Sequence, residues 1–268
     1  MGASEIRAAF AAAAQEDRAA LIPYLVAGRP GVEELPHLVR DVVAAGADIV
    51  ELGVPFSDPL ADGEVIRNAT RRALDAGVTV AGCLDQVRAI RALGVEVPIV
   101  LMGYVNPLLA YGVERFCADA HAAGVDGLIV PDVPLESAGP LLDAAATHGL
   151  GMTFLATPLT SDARIAQLAT ASTGFLYAVA STGTTGARAD VAASTHELLA
   201  RARASARDTP VAVGFGVSTP GHVTELAPHA DGVIVGSALV ALVEQDPVAA
   251  VARVGELARA AHHAVTAP

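Results

Sequence analysis

Short runs of aliphatic and β-branched residues alternate with longer amphipathic stretches along the whole chain. Eight short runs predict strands: Leu21–Val26, Ile49–Leu52, Ile99–Met102, Gly127–Val130, Met152–Leu155, Phe175–Ala178, Val211–Gly214 and Val233–Gly236. A stretch with helical periodicity follows each of them: Val32–Ala45, Val80–Leu93, Val113–Ala123, Ser137–His148, Ala163–Ala171, Ala192–Arg207, Thr219–Leu226 and Ala249–His262. This alternation is typical of βα units around a parallel sheet.

Eight strands with eight crossovers form either a closed (β/α)8 barrel or an open doubly wound sheet. The open class usually carries a GxGxxG turn after its first strand, whereas Ala27–Pro30 reads AGRP here. We therefore predict an α/β fold, a single (β/α)8 TIM barrel over residues 1–268. It has an extra helix at Glu64–Ala76 after the second strand, and a leading helix at Glu5–Ala20 that could close the bottom of the barrel.

Composition and charge narrow the classes of partner. Hydrophobic residues make up 53% of the 268 residues and charged residues 17%, which suits strands buried on both faces by helices. The net charge of −12 comes from scattered acidic residues, so no basic surface for nucleic acid is predicted. An anionic small substrate would need local positive potential from backbone N–H groups or helix ends.

Neither a membrane segment nor a metal site is indicated. The chain has no run of 18 apolar residues, and its first residues do not follow the order of a signal peptide, so we expect a cytoplasmic protein without membrane contact. Cys83 and Cys117 show no zinc spacing and are expected to be reduced core thiols. The eight histidines fall in helical patterns or at their edges, mostly in solvent, and form no His-x-x-x-His pair.

Two carboxyl groups, one within the second strand and one in the loop after it, are candidates for catalysis. Glu51 interrupts an apolar run inside that strand, where an unpaired charge is costly unless its pKa rises, and no other predicted strand carries a charged partner. Asp62 closes the loop that leaves the same strand, and it is equally consistent with an ordinary turn or helix-capping residue. Tyr177 is either a core residue or a hydroxyl that reaches the site.

Three glycine-bearing loops follow the last three strands, at residues 182–186, 214–216 and 236–237. Barrel enzymes often bind phosphate after strands seven and eight, where glycine allows close approach of the backbone and a short helix offers its N-terminus. Glycine also serves tight turns, but together these loops favour a phosphate site.

The segment ELGVPFSDPLADG at residues 51–63 closely resembles the signature of the tryptophan synthase α subunit family. The resemblance extends over nearly the whole chain: Leu101–Tyr104 with Asn106, the turn Pro131–Pro134, Thr184–Gly186 at the end of the sixth loop, Gly214–Gly216, and Gly236 with Ser237. It implies retro-aldol cleavage of indole-3-glycerol phosphate to indole and glyceraldehyde 3-phosphate, without a cofactor in this subunit.

The resemblance also implies roles for individual residues. Glu51 would protonate the indole at C3 and then take the proton of the side-chain hydroxyl, while Asp62 would accept the ring N–H hydrogen bond and stabilise the developing positive charge. The implied substrate contacts are Tyr24, Ile66, Leu101, Tyr104, Ile129, Tyr177, Thr185 and Phe215, and the implied phosphate contacts are Gly186, Gly216, Gly236 and Ser237. The loop from Ser57 to Asp62, with Asp58 and Pro59, and the turns at Asn106 and Asp132 would meet a pyridoxal-phosphate-bearing β subunit.

Three positions depart from the family pattern. Glu64 stands where proline is usual, Ser181 where many members have arginine, and Arg29 where an acidic residue is common. These departures concern loop closure and coupling to a partner, so a stand-alone lyase that releases free indole is an alternative. A weakly active scaffold that stimulates a β-type partner and a barrel acting on another sugar phosphate are the further alternatives.

Overall fold

Eight parallel strands hydrogen-bond in chain order, and the last pairs with the first. They are β1 Ala20–Val26, β2 Val50–Gly53, β3 Ile99–Met102, β4 Gly127–Ile129, β5 Gly151–Ala156, β6 Leu176–Val179, β7 Val211–Gly214 and β8 Gly232–Val235. The computed structural model describes residues 2–180, 193–214 and 216–262. The predicted (β/α)8 barrel is confirmed.

Twelve α-helices surround the barrel in the described residues. They are α1 Ala3–Gln15, α2 Leu35–Ala44, α3 Glu64–Asp75, α4 Val80–Ala92, α5 Val105–Tyr111, α6 Val113–Ala123, α7 Gly139–Thr147, α8 Asp162–Ala171, α9 Ala193–Ala206, α10 Pro220–Leu226, α11 Ser237–Gln245 and α12 Pro247–Ala260. Short 3₁₀ turns lie at Leu135–Ser137 and Ala227–His229. No helix in these ranges is long and apolar enough to cross a membrane.

The predicted elements are found with shifted ends, and two helices were missed. The leading helix stops at Gln15 rather than Ala20, because Asp17 has a left-handed backbone with φ of 53° and Ala20 already belongs to β1. The helix α5 was missed because it has only seven residues and contains Pro107. The helix α11 was missed because its apolar sequence directly continues that of β8.

The register determines which side chains face the barrel axis. Tyr24 of β1 pairs with Glu51 of β2, Glu51 with Val100 of β3, and Val100 with Gly127 of β4. Paired residues of parallel strands point to the same side and neighbours along a strand alternate, so these residues share the inner face.

The leading helix α1 closes the bottom of the barrel, as predicted. Ile6 and Phe10 are buried, and they lie against the glycines that begin β4 and β8. A Cβ at Gly127 would lie 2.7 Å from Ile6 Cδ1, and a Cβ at Gly232 would lie 2.7 Å from Phe10 Cε1. The bottom of the barrel is therefore packed, and the opposite end is left for a site.

Candidate active site

Glu51 is a buried carboxyl group on the inner face of the barrel. Its side chain is 1% exposed, and neither Oε1 nor Oε2 has a hydrogen-bond partner among the described residues. Burial raises the pKa of Glu51 to about 8, and the nearby charge of Asp62 adds to this shift. The group is therefore protonated at neutral pH.

The environment of Glu51 differs from that of Asp126, a structural carboxylate at the bottom of the barrel. Asp126 is equally buried but accepts hydrogen bonds from Arg91 Nη2 at 2.6 Å and from the backbone N–H groups of Gly2 and Ile99 at 2.8 and 2.9 Å. A buried carboxyl group that is needed only for stability is normally satisfied in this way. Glu51 lacks such partners, which points to a functional role.

Asp62 lies at the end of the loop after β2 and faces Glu51. It is 7% exposed, and the hydroxyl of Tyr104 donates a hydrogen bond to its carboxylate. The same hydroxyl accepts a hydrogen bond from the Ala61 N–H at 3.0 Å, so the loop is tied to the end of β3. The helix α3 starts after Gly63, and no side chain caps it, so Asp62 is not a capping residue.

The acidity of Asp62 differs from that of Glu51. Burial raises the pKa of Asp62 to about 6, while the Tyr104 hydrogen bond and the charge of Arg67 oppose this rise. At neutral pH one carboxyl group is therefore protonated and the other ionised. Acid–base catalysis by two carboxyl groups requires such a division of roles.

Three tyrosines bring polar hydroxyls to the two carboxyl groups. Burial raises the phenol pKa of Tyr24, Tyr104 and Tyr177, and the charge of Asp62 raises each one further. Gly53 provides space for Tyr24, and Gly214 provides space for Tyr177. A Cβ at Gly53 would lie 2.1 Å from the Tyr24 hydroxyl, and a Cβ at Gly214 would lie 2.3 Å from the Tyr177 hydroxyl.

The apolar residues that face the barrel axis near the two carboxyl groups are only partly the substrate contacts expected from the sequence. Ile129 shares the inner face with Gly127 two residues before it, and Ile66 lies in the first turn of α3, partly buried against the core. Leu101 is different: it pairs with Leu52, next to Glu51 on β2, and therefore points away from the axis toward the helices. Its neighbour Met102, paired with Gly53, occupies the inner face instead.

The N-terminus of α11 lies next to the cleft between the carboxyl groups of Glu51 and Asp62, which we call the slot. Gly236 precedes the helix, Ser237 is its first residue, and the first N–H groups of a helix have no partner within it. A Cβ at Gly236 would lie 3.6 Å from Tyr24 Cβ, which places this helix end beside β1. Gly216, after β7, has φ of +79° and open space where a side chain would be. Thr185, Gly186 and Phe215 lie outside the described residues.

Comparison with known proteins identifies the family. The family model described as tryptophan synthase alpha chain matches residues 10–266. The tryptophan synthase alpha chain of Chloroflexus aggregans is 49% identical over 242 residues, 90% of each chain, and that of Geobacter sulfurreducens is 48% identical over 242 residues, 90% of this chain and 91% of its own. The chain belongs to the tryptophan synthase alpha chain family.

Solved structures agree with this assignment to the tryptophan synthase alpha chain family. A structure of Mycobacterium tuberculosis tryptophan synthase superposes with a TM-score of 0.89 at 41% identity, covering 96% of this chain and 98% of that chain. A mutant tryptophan synthase alpha-subunit from Pyrococcus furiosus superposes with a TM-score of 0.83 at 38% identity, covering 90% of this chain and 98% of that one.

The residues that suggest a partner surface in this tryptophan synthase alpha chain lie on one edge of the barrel mouth. Asp58, Asn106 and Asp132 are exposed and Pro59 is half-buried. They lie on the loop after β2, in the first turn of α5 after β3, and on the turn after β4. Asp132 accepts a hydrogen bond from the Val105 N–H at 3.0 Å, at the start of α5. Leu60 and Leu109 add exposed apolar area, with 82% and 58% of each residue accessible. We call Asp58–Leu60, Asn106, Leu109 and Asp132 the mouth edge.

Arg29, one of the departures from the tryptophan synthase alpha chain pattern, has a specific partner. Its guanidinium donates to both carboxylate oxygens of Glu244 on α11, at 2.5 and 2.8 Å, and Arg72 on α3 also bonds Glu244. The cluster of Arg29, Arg72 and Glu244 joins α11, which starts at the candidate phosphate site, to α3, which follows Asp62. Sequence reasoning did not find it, because 215 residues separate Arg29 from Glu244.

Two further expectations concern histidines and metals. Most of the histidines were expected in solvent, whereas His222 is buried, and its Nδ1 accepts a hydrogen bond from the Ser218 N–H at 3.3 Å. No group of three His, Cys, Asp or Glu side chains able to hold a metal ion occurs in the part of the chain that the structure describes.

Proposed function

We propose that this protein cleaves indole-3-glycerol phosphate to indole and glyceraldehyde 3-phosphate, with Glu51 and Asp62 as its catalytic pair. The observation that carries the proposal is a buried Glu51, without a hydrogen-bond donor in the residues that the structure describes, opposite a second, more acidic carboxyl group. The reaction needs one group that gives and takes a proton and another that remains charged.

Glu51 acts first as an acid and then as a base. Its O–H bond breaks as a C–H bond forms at C3 of the indole, and the ring becomes a cationic indolenine. The resulting carboxylate then takes the proton of the neighbouring side-chain hydroxyl. As the C=O bond forms, the carbon–carbon bond breaks, and its electron pair restores the indole ring. A pKa of about 8 keeps the starting acid protonated at neutral pH.

Asp62 accepts the hydrogen bond of the ring N–H and stabilises the positive charge on that nitrogen. A pKa of about 6 leaves it ionised at neutral pH, and the Tyr104 hydroxyl orients it. Because the slot is largely buried, the attraction between carboxylate and iminium is stronger than it would be in water.

The remaining contacts position the substrate. Ile66, Met102 and Ile129 are proposed as apolar walls for the indole, with Tyr177 near the acid. The N–H groups of Gly216, Gly236 and Ser237 are proposed for the phosphate, because the helix dipole of α11 offers positive potential in a chain of net charge −12. Thr185, Gly186 and Phe215 keep the roles that the family resemblance implies.

The proposed chemistry needs two proton transfers and the cleavage of one carbon–carbon bond whose electron pair returns to the indole ring, so we propose no cofactor in this chain. We place pyridoxal phosphate in a β subunit that binds at the mouth edge and receives indole. The apolar side chains of Leu60 and Leu109 support this, since exposed aliphatic residues near polar ones are typical of protein interfaces. We also place the protein in the cytoplasm, a reducing compartment that suits the free thiols of Cys83 and Cys117.

Replacement of Glu51 by glutamine tests the reaction. The amide keeps the shape of the side chain but cannot deliver the proton, so we expect kcat for indole release to fall by about 10²- to 10⁴-fold. Glu96→Gln, on an exposed acidic residue, is the matched control and should retain wild-type turnover. Near-normal turnover of Glu51→Gln would contradict the proposed mechanism.

A further inference from the structure

The proposed reaction creates a charge that the resting site does not neutralise. Once Glu51 has delivered its proton, a carboxylate remains in a position that is 1% exposed and has no donor among the described residues. A buried carboxylate without a hydrogen bond is costly, and this cost would fall on the intermediate. A donor that reaches Glu51 only in this state would lower the barrier.

The hydroxyl of Tyr24 lies on the mouth side of Glu51. Tyr24 is the register partner of Glu51 on the neighbouring strand, and both face the barrel axis. The next inner position of β2 is Gly53, and the Tyr24 hydroxyl occupies the space of its missing side chain, 2.1 Å from where a Cβ would be. The hydroxyl therefore lies beside Glu51, on the side from which Asp62 approaches.

Several polar groups surround the Tyr24 hydroxyl. Asp62, Glu51 and Tyr104 interact electrostatically with the Tyr24 hydroxyl, and Tyr177 faces it from β6. The Tyr104 hydroxyl is held between Asp62 and the Ala61 N–H. No hydrogen bond joins the Tyr24 hydroxyl to another residue in the described ranges.

We propose that Tyr24 is a positioning residue for the lyase reaction, whose hydroxyl donates a hydrogen bond to the Glu51 carboxylate formed after proton transfer to the indole. This inference rests on the proposed function. It adds a second role to the expected substrate contact of Tyr24, since its ring faces the slot while its hydroxyl would bond Glu51. The proton stays on the phenol throughout, because burial and the surrounding carboxyl groups raise the pKa of Tyr24 well above its usual value.

Tyr24→Phe tests the proposal because it keeps the ring and removes only the hydroxyl. A hydrogen bond to a charged group accounts for about 10- to 100-fold in rate, so we expect kcat to fall by that factor with little change in KM. Loss of the donor also disfavours ionised Glu51. The descending alkaline limb of the kcat/KM profile, set by the acid form of Glu51, should therefore move to higher pH.

A direct titration separates this role from a merely structural one. The carboxyl carbon of Glu51 can be followed by NMR in isotope-labelled protein without substrate, and its midpoint should rise in Tyr24→Phe. Tyr111→Phe is the matched control: it removes a hydroxyl that bonds Asp119 at 2.7 Å outside the site, and it should leave rate and titration unchanged.

The outcomes distinguish this inference from the function on which it depends. If Glu51→Gln is inactive but Tyr24→Phe has wild-type kcat and an unchanged Glu51 titration, the lyase mechanism stands and the role of Tyr24 is refuted. If Glu51→Gln is active, the proposed function itself fails. A Tyr24→Phe protein with raised KM, unchanged kcat and unchanged titration would also refute the inference, because it would assign Tyr24 to substrate packing alone.

Discussion

At the scale of single residues, the site depends on one carboxyl group that the fold leaves unsatisfied. Asp126 and Glu51 are equally buried, yet three donors hold Asp126 and none in the described residues reaches Glu51. Burial of Glu51 without such a donor lowers the stability of the fold, and the proposed reaction gives a reason for it. This cost depends on pH, because an uncharged Glu51 avoids it.

Glu51→Gln is expected to stabilise the protein increasingly as pH rises. The pKa of Glu51 is raised in the folded state from 4.5 to about 8, so the folded form holds a proton that the unfolded form has lost. Stability contributed by that proton is complete below pH 4.5 and is lost as pH rises through about 8. The stability of the variant relative to wild type should grow by up to about 1.4 kcal/mol per pH unit in this window.

Urea unfolding of Glu51→Gln and wild type at several pH values measures this difference. Glu96→Gln serves as the control, since an exposed carboxyl group should show no such trend. A stability difference that stays constant from pH 5 to 8 would contradict the raised pKa of Glu51.

At the scale of elements, α1 and the catalytic pair lie at opposite ends of the same barrel. Glycines that begin β4, β5 and β8 make room at the bottom for Ile6 and Phe10 of α1. At the other end, Gly53 and Gly214 make room for the hydroxyls of Tyr24 and Tyr177. In both places, a glycine without a side chain allows a side chain of another element to pack near the barrel axis.

Phe10→Ala is expected to reduce stability without changing catalysis. Loss of the buried ring leaves a cavity at the bottom of the barrel, at a cost of about 3–5 kcal/mol in the free energy of unfolding. KM and kcat should stay within about twofold of wild type at a temperature where the variant remains folded. Ala8→Ser, on the exposed side of the same helix, should change stability by less than about 1 kcal/mol. A large loss of kcat in folded Phe10→Ala would show that the two ends are coupled.

At the scale of the whole molecule, the candidate substrate site and the candidate partner surface lie on different sides of the same end of the barrel. The loop after β2, the helix α5 after β3 and the turn after β4 carry the mouth edge, while the N-terminus of α11 after β8 forms the candidate phosphate site on another side. Indole released between them is therefore close to any partner at the mouth edge. The cluster of Arg29, Arg72 and Glu244 lies behind the phosphate side and joins α3 to α11.

Leu109→Ser is expected to weaken binding of a tryptophan synthase β subunit while leaving basal cleavage intact. Titration of the wild-type chain with β subunit should raise the turnover of indole-3-glycerol phosphate, and the variant should need about tenfold more β subunit for the same effect. Val248→Ser removes an exposed aliphatic side chain outside the mouth edge and is the matched control. High wild-type activity that does not change on mixing would favour the stand-alone lyase.

The order of strands and the two carboxyl groups could be predicted from the sequence, because both leave local patterns. A buried strand is an apolar run, and a charge within it, such as Glu51, is conspicuous. Glu51 and Asp62 were proposed from such patterns, whereas Ile129 was proposed from the family resemblance, and their roles stay predictions. Leu101 was not placed correctly, since a shift of one residue along a strand reverses the side chain, and only pairing with β2 determines which residue faces inward.

The amino-acid sequence by itself determined the barrel class and the family, because hydrophobic periodicity and a thirteen-residue signature are local properties of the chain. Only the tertiary structure decided that Met102 rather than Leu101 faces the slot, that Glu51 has no donor in the described residues, and that the Tyr24 hydroxyl fills the space above Gly53. The physical reason is that burial, register and hydrogen bonding depend on segments that are distant in the chain and meet only when the barrel closes.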